Sequence, residues 1–228
     1  ETYKLLSDLK INLPTPSLNG ERTPMKGSPS CAVISAKDTN ESLAVASHSA
    51  FTMTAARSGI GMELTTRGPK DPIKNGLIEH GGKFSYYSWI DRAVKSSTQV
   101  SRGGSATVTY TCMDPEVEML LRLKSQRTAE DFRLEFLDYS IAMNTLFLKK
   151  AAKNEDWMLV SPYFAPKLYD LFYEGDTEAF EKEYEAVAAS TVKKFFVSAR
   201  EVLKLACKMR LEQGRIYRTY IDNVNSHT

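Results

Sequence analysis

Cysteine is scarce in this sequence. The 228 residues hold three, Cys31, Cys112 and Cys207, too few and too scattered for a disulfide framework or a Cys-x-x-Cys metal site, and that usage points to a reducing compartment. A long apolar run is also missing. The longest stretch without Asp, Glu, Lys or Arg, from Ser42 to Ala56, carries Ser, His and Thr and is shorter than the ~20 apolar residues that a membrane-spanning helix needs. Neither sign of charge dominates, with 30 Lys and Arg against 28 Asp and Glu, so no basic face is concentrated enough to make duplex nucleic acid the default partner. The first residues, Glu1-Thr2-Tyr3-Lys4, show no initiator Met, basic n-region or apolar h-region, which predicts no signal peptide and reads as a start cut from a longer chain. What is present is ordinary: 42% hydrophobic and 25% charged residues, the composition of a globular domain. A domain of this length buries roughly 70–75% of its unfolded surface, enough for a core without disulfides or a structural metal.

Composition changes near Cys112. Ten of the 12 Gly and six of the nine Pro lie in residues 1–112, whereas residues 113–228 hold 19 of the 28 acids and 17 of the 30 bases. Glycine and proline set turns and let a backbone approach a ligand, so the first part is expected to carry ligand-touching loops and the second to be helical scaffold. Leu13-Pro14-Thr15-Pro16 and Arg22-Thr23-Pro24 read as extended or turn segments. Cys31 to Ala36 reads as a short buried strand. Asp38-Thr39-Asn40-Glu41 fits a capping box with Asp38 as the cap, opening a helix with Leu43, Ala46, Ala50 and Met53 on one face. That helix ends in Arg57-Ser58-Gly59-Ile60-Gly61-Met62, and residues 65–83 read as a polar loop. Phe84 to Ser97 is a second amphipathic helix, residues 98–105 a glycine-bearing loop, and Ala106 to Cys112 a β-branched strand. Asp114-Pro115 predicts a helix start. Helix-period segments follow at 136–150, 178–188 and 192–213, the last stopped by Gly214, before a strand from Ile216 to Ile221.

Read from the residues alone, the chemical signals are weak. Cys31, at the start of an apolar strand, is a small core hydrophobe, and His48 on a helix makes no convincing Cys-His nucleophile. Gly59-Ile60-Gly61 lacks the preceding strand and the third glycine of a dinucleotide fingerprint, and reads as a helix C-cap and close-packing site. Arg102-Gly103-Gly104 is either a tight connection or a phosphate- or base-wrapping loop. Arg67, Lys70 and Lys74 are solvated charges unless they converge on Asp38 as an anion site. Asp38 and Glu41 serve better as caps than as an acid/base pair. Lys193-Lys194 reads as the solvated face of a helix.

Taken in order, however, these segments resemble one family. The series Leu13-Pro14-Thr15-Pro16, Arg22-Thr23-Pro24, Ser30-Cys31, Arg57-Ser58-Gly59-Ile60-Gly61, Ala93-Val94-Lys95-Ser96, Arg102-Gly103-Gly104-Ser105-Ala106 and Gly214-Arg215-Ile216-Tyr217 is similar to the large catalytic subunit of class I ribonucleotide reductase. Glu116 to Leu121, Ser161-Pro162 and Asn225 to Thr228 extend the likeness through the chain. The resemblance implies an α/β fold: half of a ten-stranded α/β barrel with a helix-rich second half. Residues 1–112 would be its loop-rich substrate and effector part and residues 113–228 its helix-rich scaffold part. An ATP-cone and the finger-loop half, with the radical-bearing cysteine, would lie outside the chain.

The resemblance further implies reduction of ribonucleoside diphosphates to deoxyribonucleotides by thiyl-radical chemistry, for DNA precursor synthesis in the cytoplasm. Cys31 would be one member of the redox-active cysteine pair, and Thr15, Ser30, Cys31 and Gly59 would bind substrate. Asp38, Arg67 and Lys74 would hold an allosteric effector nucleotide (dATP, ATP, dTTP or dGTP), with Lys74 standing where many relatives have Arg. Gln99 and Arg102 would lie in the specificity loop, which is shortened here. No cofactor or metal would be bound by this chain; the radical would come from a metal-containing small subunit. Expected partners are the rest of the large subunit, a second large subunit, the radical-generating small subunit, thioredoxin or glutaredoxin, and ribonucleotide substrates, with no nucleic acid and no membrane. The chain would then be inactive alone. The competing expectation is a non-catalytic nucleotide-binding or interaction module derived from that subunit.

Overall fold

A computed structural model describes residues 1–13, 18, 24, 30–96 and 103–227. The turns expected at residues 14–16 and 22–23, and with them Thr15, Gln99 and Arg102, lie outside the described residues. After a short helix α1 (Thr2–Ser7), the described chain runs β1 (Cys31–Ala36), α2 (Asn40–Ala55), β2 (Gly59–Leu64), β3 (Pro72–Ile73), β4 (Ile78–Glu79), α3 (Phe84–Ser96), β5 (Ala106–Thr111) and α4 (Val117–Arg122). It continues with a 3-10 turn at Glu130–Phe132, β6 (Leu137–Met143), α5 (Thr145–Lys153), β7 (Asp156–Val160), α6 (Pro166–Glu174), α7 (Thr177–Ala189), β8 (Lys194–Ser198), α8 (Ala199–Gln213), β9 (Ile216–Tyr220) and α9 (Ile221–Asn225).

Five strands form one parallel sheet in the order β1-β2-β5-β6-β9. Parallel neighbours need a crossover, and helices supply it. The order is also the order of the chain, without the reversal that puts helices on both faces of a doubly wound sheet. The helices therefore cover one face, and the sheet is the arc of half an α/β barrel. Its helix side is apolar: Ile60, Met62 and Leu64, Ala106, Val108 and Tyr110, and Leu137, Tyr139 and Ile141 are buried. The register places the alternate residues together on the opposite, concave face: Cys31, Val33 and Ser35; Gly59, Gly61 and Glu63; Thr107, Thr109 and Thr111; Asp138, Ser140 and Ala142; Tyr217 and Thr219. Two contacts cross that face, Ser35 Oγ donating to Glu63 Oε2 at 2.9 Å and the Ser140 and Thr219 hydroxyls meeting at 2.8 Å.

Several expectations are corrected here. β1 is an edge strand and only Ala36 in it is buried, so Cys31 is not a core hydrophobe; its thiol is free and exposed. Gly59-Ile60-Gly61 opens β2 and is no C-cap, because the chain turns at Arg57 (φ 70°) and pairs at once with β1. The cap of α2 is Thr39, whose hydroxyl accepts the Ser42 N–H at 3.1 Å; Asp38 is free for another partner. Met53 is 37% exposed, and Ser47 and Thr54 share the buried face with Leu43, Ala46 and Ala50. Residues 136–150 contain β6 before α5, and 192–198 contain β8, which pairs antiparallel with β7. Every residue of β6 is buried; its Leu137-Asp138-Tyr139-Ser140-Ile141 alternation is that of a strand, and the helix-period reading of 136–150 runs α5 back over it. Asp114 starts no helix directly: α4 begins at Val117, and Asp114 Oδ1 accepts the Glu116 N–H at 2.9 Å in an Asx turn.

The second half also supplies β6 to β9 as well as helices. α3 and α7 fall where the periodicity places them, and α8 fills only the 199–213 part of the expected 192–213 helix, stopping at Gly214 with φ 71°. β5 and β9 match their expected spans to within a residue.

Candidate functional site

β1 has a different constellation at each end. At its start, Ser30, Cys31 and Gly59 are brought side by side: Cys31 pairs with Gly59 across the parallel ladder, and the Gly59 N–H donates to the Ser30 carbonyl at 2.8 Å. The Ser105 carbonyl, just before β5, accepts the Ile60 N–H at 3.0 Å at this same edge. Cys31 opens the concave face. Cys112 is fully buried and burial pushes its thiol well above the ordinary range; Cys207 is half-buried, 3.8 Å from the Arg218 guanidinium. Among the described residues Cys31 is the exposed thiol, and a Cβ at Gly59 would meet nothing closer than the Ser30 carbonyl at 3.8 Å. The bare edge leaves room for a ligand to approach the backbone.

At the other end, roughly 20 Å away by a strand rise of ~3.3 Å per residue, Asp38 takes Arg67 in two bonds. Arg67 Nε lies 2.7 Å from Asp38 Oδ2 and the Arg67 N–H donates to Oδ1 at 3.1 Å. Arg67 Nη1 also donates to the Pro72 carbonyl, and the guanidinium lies over the Tyr163 ring at 4.8 Å. The acid and base singled out in the sequence are thus joined. Lys74 stands apart, exposed at the turn between β3 and β4 with φ 48°, and makes no ion pair among the described residues.

Between this end and α6 lies a cavity of about 480 Å³ whose lining includes Ser35, Asp38, Glu63, Tyr163, Tyr169 and Tyr173. Tyr169 OH donates to the Val160 carbonyl at 2.9 Å. Burial raises the Tyr173 phenol well above its usual range, and the Glu63 carboxylate adds to the effect. No sequence signal pointed to these tyrosines. Tyr169 and Tyr173 lie far from β1 in sequence, on a helix whose periodicity reports only its buried stripe, and Tyr163 lies just before that helix.

Behind the β3–β4 hairpin is a second group that sequence reasoning missed. Lys83 Nζ lies 2.7 Å from Asp114 Oδ2 with both side chains almost fully buried. Glu116 Oε2 accepts the Lys83 N–H at 2.9 Å, and His80 Nδ1 accepts the Gly82 N–H at 3.1 Å. Burial lowers the His80 pKa, partly offset by Asp38. Burial also lifts Glu116 from 4.5 to about 6, against the pull of Lys83 and with the help of Asp114. The folded chain then holds this proton more tightly than the unfolded chain, so stability falls as pH rises through that window and the deficit persists above it. Glu116→Gln keeps an oxygen for the Lys83 N–H and removes the deficit. It is expected to stabilise the chain by about 1 kcal/mol at neutral pH, a figure reduced for partial exposure, and not at pH ~4. Urea midpoints of both proteins at the two pH values measure this; equal gains at both would contradict it.

Among the described residues no group of His, Cys, Asp and Glu is arranged to hold a metal ion, and no helix is long and apolar enough to cross a membrane.

A family model for the ribonucleotide reductase barrel domain matches residues 29–228. The chain is 36% identical over 229 residues to the ribonucleoside-diphosphate reductase 1 subunit alpha of Escherichia coli (strain K12), covering 99% of this chain and 30% of that protein. It is 35% identical over 230 residues to the ribonucleoside-diphosphate reductase subunit alpha of Enterobacteria phage T4, with the same coverage of both. The subunit alpha of Mycoplasma genitalium is more distant, 25% identical over 236 residues. The chain therefore spans about 30% of the length of the first two relatives.

Proposed function

The chain belongs to the ribonucleotide reductase barrel-domain family, and from that membership we propose that it is part of a ribonucleoside-diphosphate reductase large subunit, supplying one redox cysteine, a substrate edge and the specificity effector site. The observation that carries this reading is the placement of an exposed Cys31 thiol beside Gly59 at one end of β1, with Asp38 and Arg67 joined at the other.

In the proposed reaction the 2′-OH of the ribonucleotide leaves as water and hydrogen takes its place on C2′. Two thiols supply the two electrons and two protons, and end as a disulfide that exchange with an external dithiol must reopen. Cys31 is one of these thiols. Its exposure on the concave face lets it meet both the ribose and a second thiol contributed from outside this chain. The Ser30 and Gly59 backbone lines the edge where the substrate phosphate and ribose would lie, with Thr15 completing the contact. Arg67 would trade part of its bond to Asp38 for effector phosphate, Lys74 would reach the same phosphates from the hairpin turn, and Asp38 would then accept from the effector sugar. Gln99 and Arg102, shortly before Ser105 in sequence, would report base identity between the two sites. The radical that starts the reaction would come from a metal-containing small subunit.

A second large subunit is the expected partner of α2 and α3. Val45, Phe51 and Trp89 are exposed on these neighbouring helices, around a cavity of about 470 Å³ lined by His48, Phe51, Trp89 and Arg92.

The test uses the complete polypeptide and two nucleotides. Gly59→Ala has space for its methyl group, so it is expected to fold normally and to weaken CDP binding about tenfold, leaving dTTP binding unchanged. Arg67→Ala is expected to weaken dTTP binding about 10- to 100-fold through loss of a charge-assisted phosphate contact, leaving CDP binding unchanged. Equilibrium dialysis measures both. If both variants bind both nucleotides as the unaltered protein does, the assignment of the two ends of β1 is wrong.

A further inference from the structure

The hairpin β3–β4 projects from the sheet with Lys74 at its turn, and what aims it is its base. Asp71, immediately before β3, has a side chain only 2% exposed. Its Oδ2 accepts the Gly68 N–H at 2.7 Å, and its Oδ1 lies 3.1 Å from Lys193 Nζ. The same ammonium donates to the Pro69 carbonyl at 3.0 Å. Ser161 Oγ accepts from Gly68 N–H at 3.2 Å. Asp71 and His80 close the hairpin through backbone bonds, His80 N–H to the Asp71 carbonyl at 2.8 Å and Lys70 N–H to the His80 carbonyl at 2.8 Å. Past His80 the chain is fixed to Glu116 and Asp114 through Lys83.

The base is therefore gripped on both sides. The Lys83 side is buried, its ammonium paired with Asp114. The Lys193 side is a single cation, 35% exposed, on the short connection between α7 and β8 and 122 residues away in sequence. Lys193 is not the solvated helix residue that the sequence pattern indicates; its neighbour Lys194 turns back to the Ser190 carbonyl instead. Without Lys193, Asp71 would be a buried carboxylate held by one backbone N–H, and the segment from Gly68 to Pro72 would lose two of its ties to the scaffold.

We propose that Lys193 is a positioning residue for nucleotide effector binding, holding Asp71 and Pro69 so that the hairpin presents Lys74 to phosphates gripped by Arg67. This rests on the reading of the Asp38–Arg67 end as an effector site. Lys193 itself touches no nucleotide; its effect passes through the pose of the hairpin.

The experiment measures, in the complete polypeptide, dTTP and CDP affinity by equilibrium dialysis and amide hydrogen exchange across residues 72–79. Lys193→Met is expected to weaken dTTP binding about fivefold and to speed exchange in the hairpin, with CDP affinity unchanged. Lys193→Arg, which keeps a cation within reach of Asp71, restores both readouts. Asp71→Asn reproduces the loss, and combining it with Lys193→Met adds little further, because both remove one interaction. Unchanged dTTP affinity in Lys193→Met, whether or not exchange rises, overturns the proposal, as does failure of Lys193→Arg to rescue. If the unaltered protein binds no dTTP, the effector reading fails first, and that result is seen before any variant is made.

Discussion

Cys31→Ser is expected to abolish deoxyribonucleotide formation in the complete, partnered enzyme, yielding less than one product per active chain. A hydroxyl can donate a proton to the departing 2′-OH, but it cannot form a disulfide and so cannot deliver the electrons that the C2′ reduction consumes. The substitution is otherwise mild. Cys31 is exposed on an edge strand and makes no packing contact in the core, so CDP and dTTP affinities and the melting temperature should match the unaltered protein. Product release quantified from CDP with an excess of dithiol is the measurement. Sustained turnover of Cys31→Ser would remove the cysteine from the reaction. The same substitution at Cys112 should behave differently, because that residue is fully buried and its carbonyl accepts the Trp157 indole N–H at 2.9 Å.

The second large effect is on the fold and not the chemistry. Asp114→Ala removes one partner of the buried Lys83 pair, leaving an ammonium that is 2% exposed without its carboxylate at 2.7 Å. Breaking a buried pair in this way costs about 3–5 kcal/mol, and the low end is expected because Glu116 keeps a second carboxylate near Lys83. The Asx turn that starts α4 is lost as well. Urea unfolding of the chain reads the change as a lower midpoint at constant slope. Replacing both partners, Lys83→Met with Asp114→Leu, should recover most of the loss, since an apolar pair of similar volume avoids the desolvation of two charges. A loss below about 1 kcal/mol in Asp114→Ala would mean that the pair behaves like a solvent-exposed one.

These two predictions draw on different kinds of information. Cys31 was legible as a redox candidate only through the ordered likeness of many short segments; its local pattern, an apolar run after a Pro-rich stretch, gave the opposite reading of a core thiol. Exposure follows from β1 being the edge strand, which is a property of strand order and not of the six residues themselves. Lys83 and Asp114 gave no signal at all. Each is an ordinary charged residue in sequence, and their burial depends on α3 and the exit of β5 meeting.

The elements that the sequence read correctly are those with a single buried face. α3 buries Tyr87, Ile90 and Val94, the expected stripe, and β5 alternates cleanly except at its last residue. Those it misread are obscured in other ways. β6 alternates in residue type but is buried on both faces and runs straight into α5, β8 has exposed Phe195 and Phe196 in adjacent positions, and β2 alternates in burial but carries Gly59 and Gly61 at its less buried positions, which read as a turn. Asp38 was placed correctly as a residue of consequence and given the wrong local partner, since Thr39 caps α2 while Asp38 takes Arg67 from 29 residues away.

By itself the sequence determined the family and the main helices and singled out Cys31, Asp38 and Arg67 as candidates, because these rest on residue identity and on short-range order. Only the tertiary structure decided that one sheet face is polar and concave, that the Ser30–Cys31–Gly59 edge and the Asp38–Arg67 pair stand at opposite ends of one strand, and that Lys193 ties Asp71 in place. The physical reason is that periodicity records whether a side chain is buried, whereas ion pairs and cavities depend on which distant segment the parallel register brings alongside it.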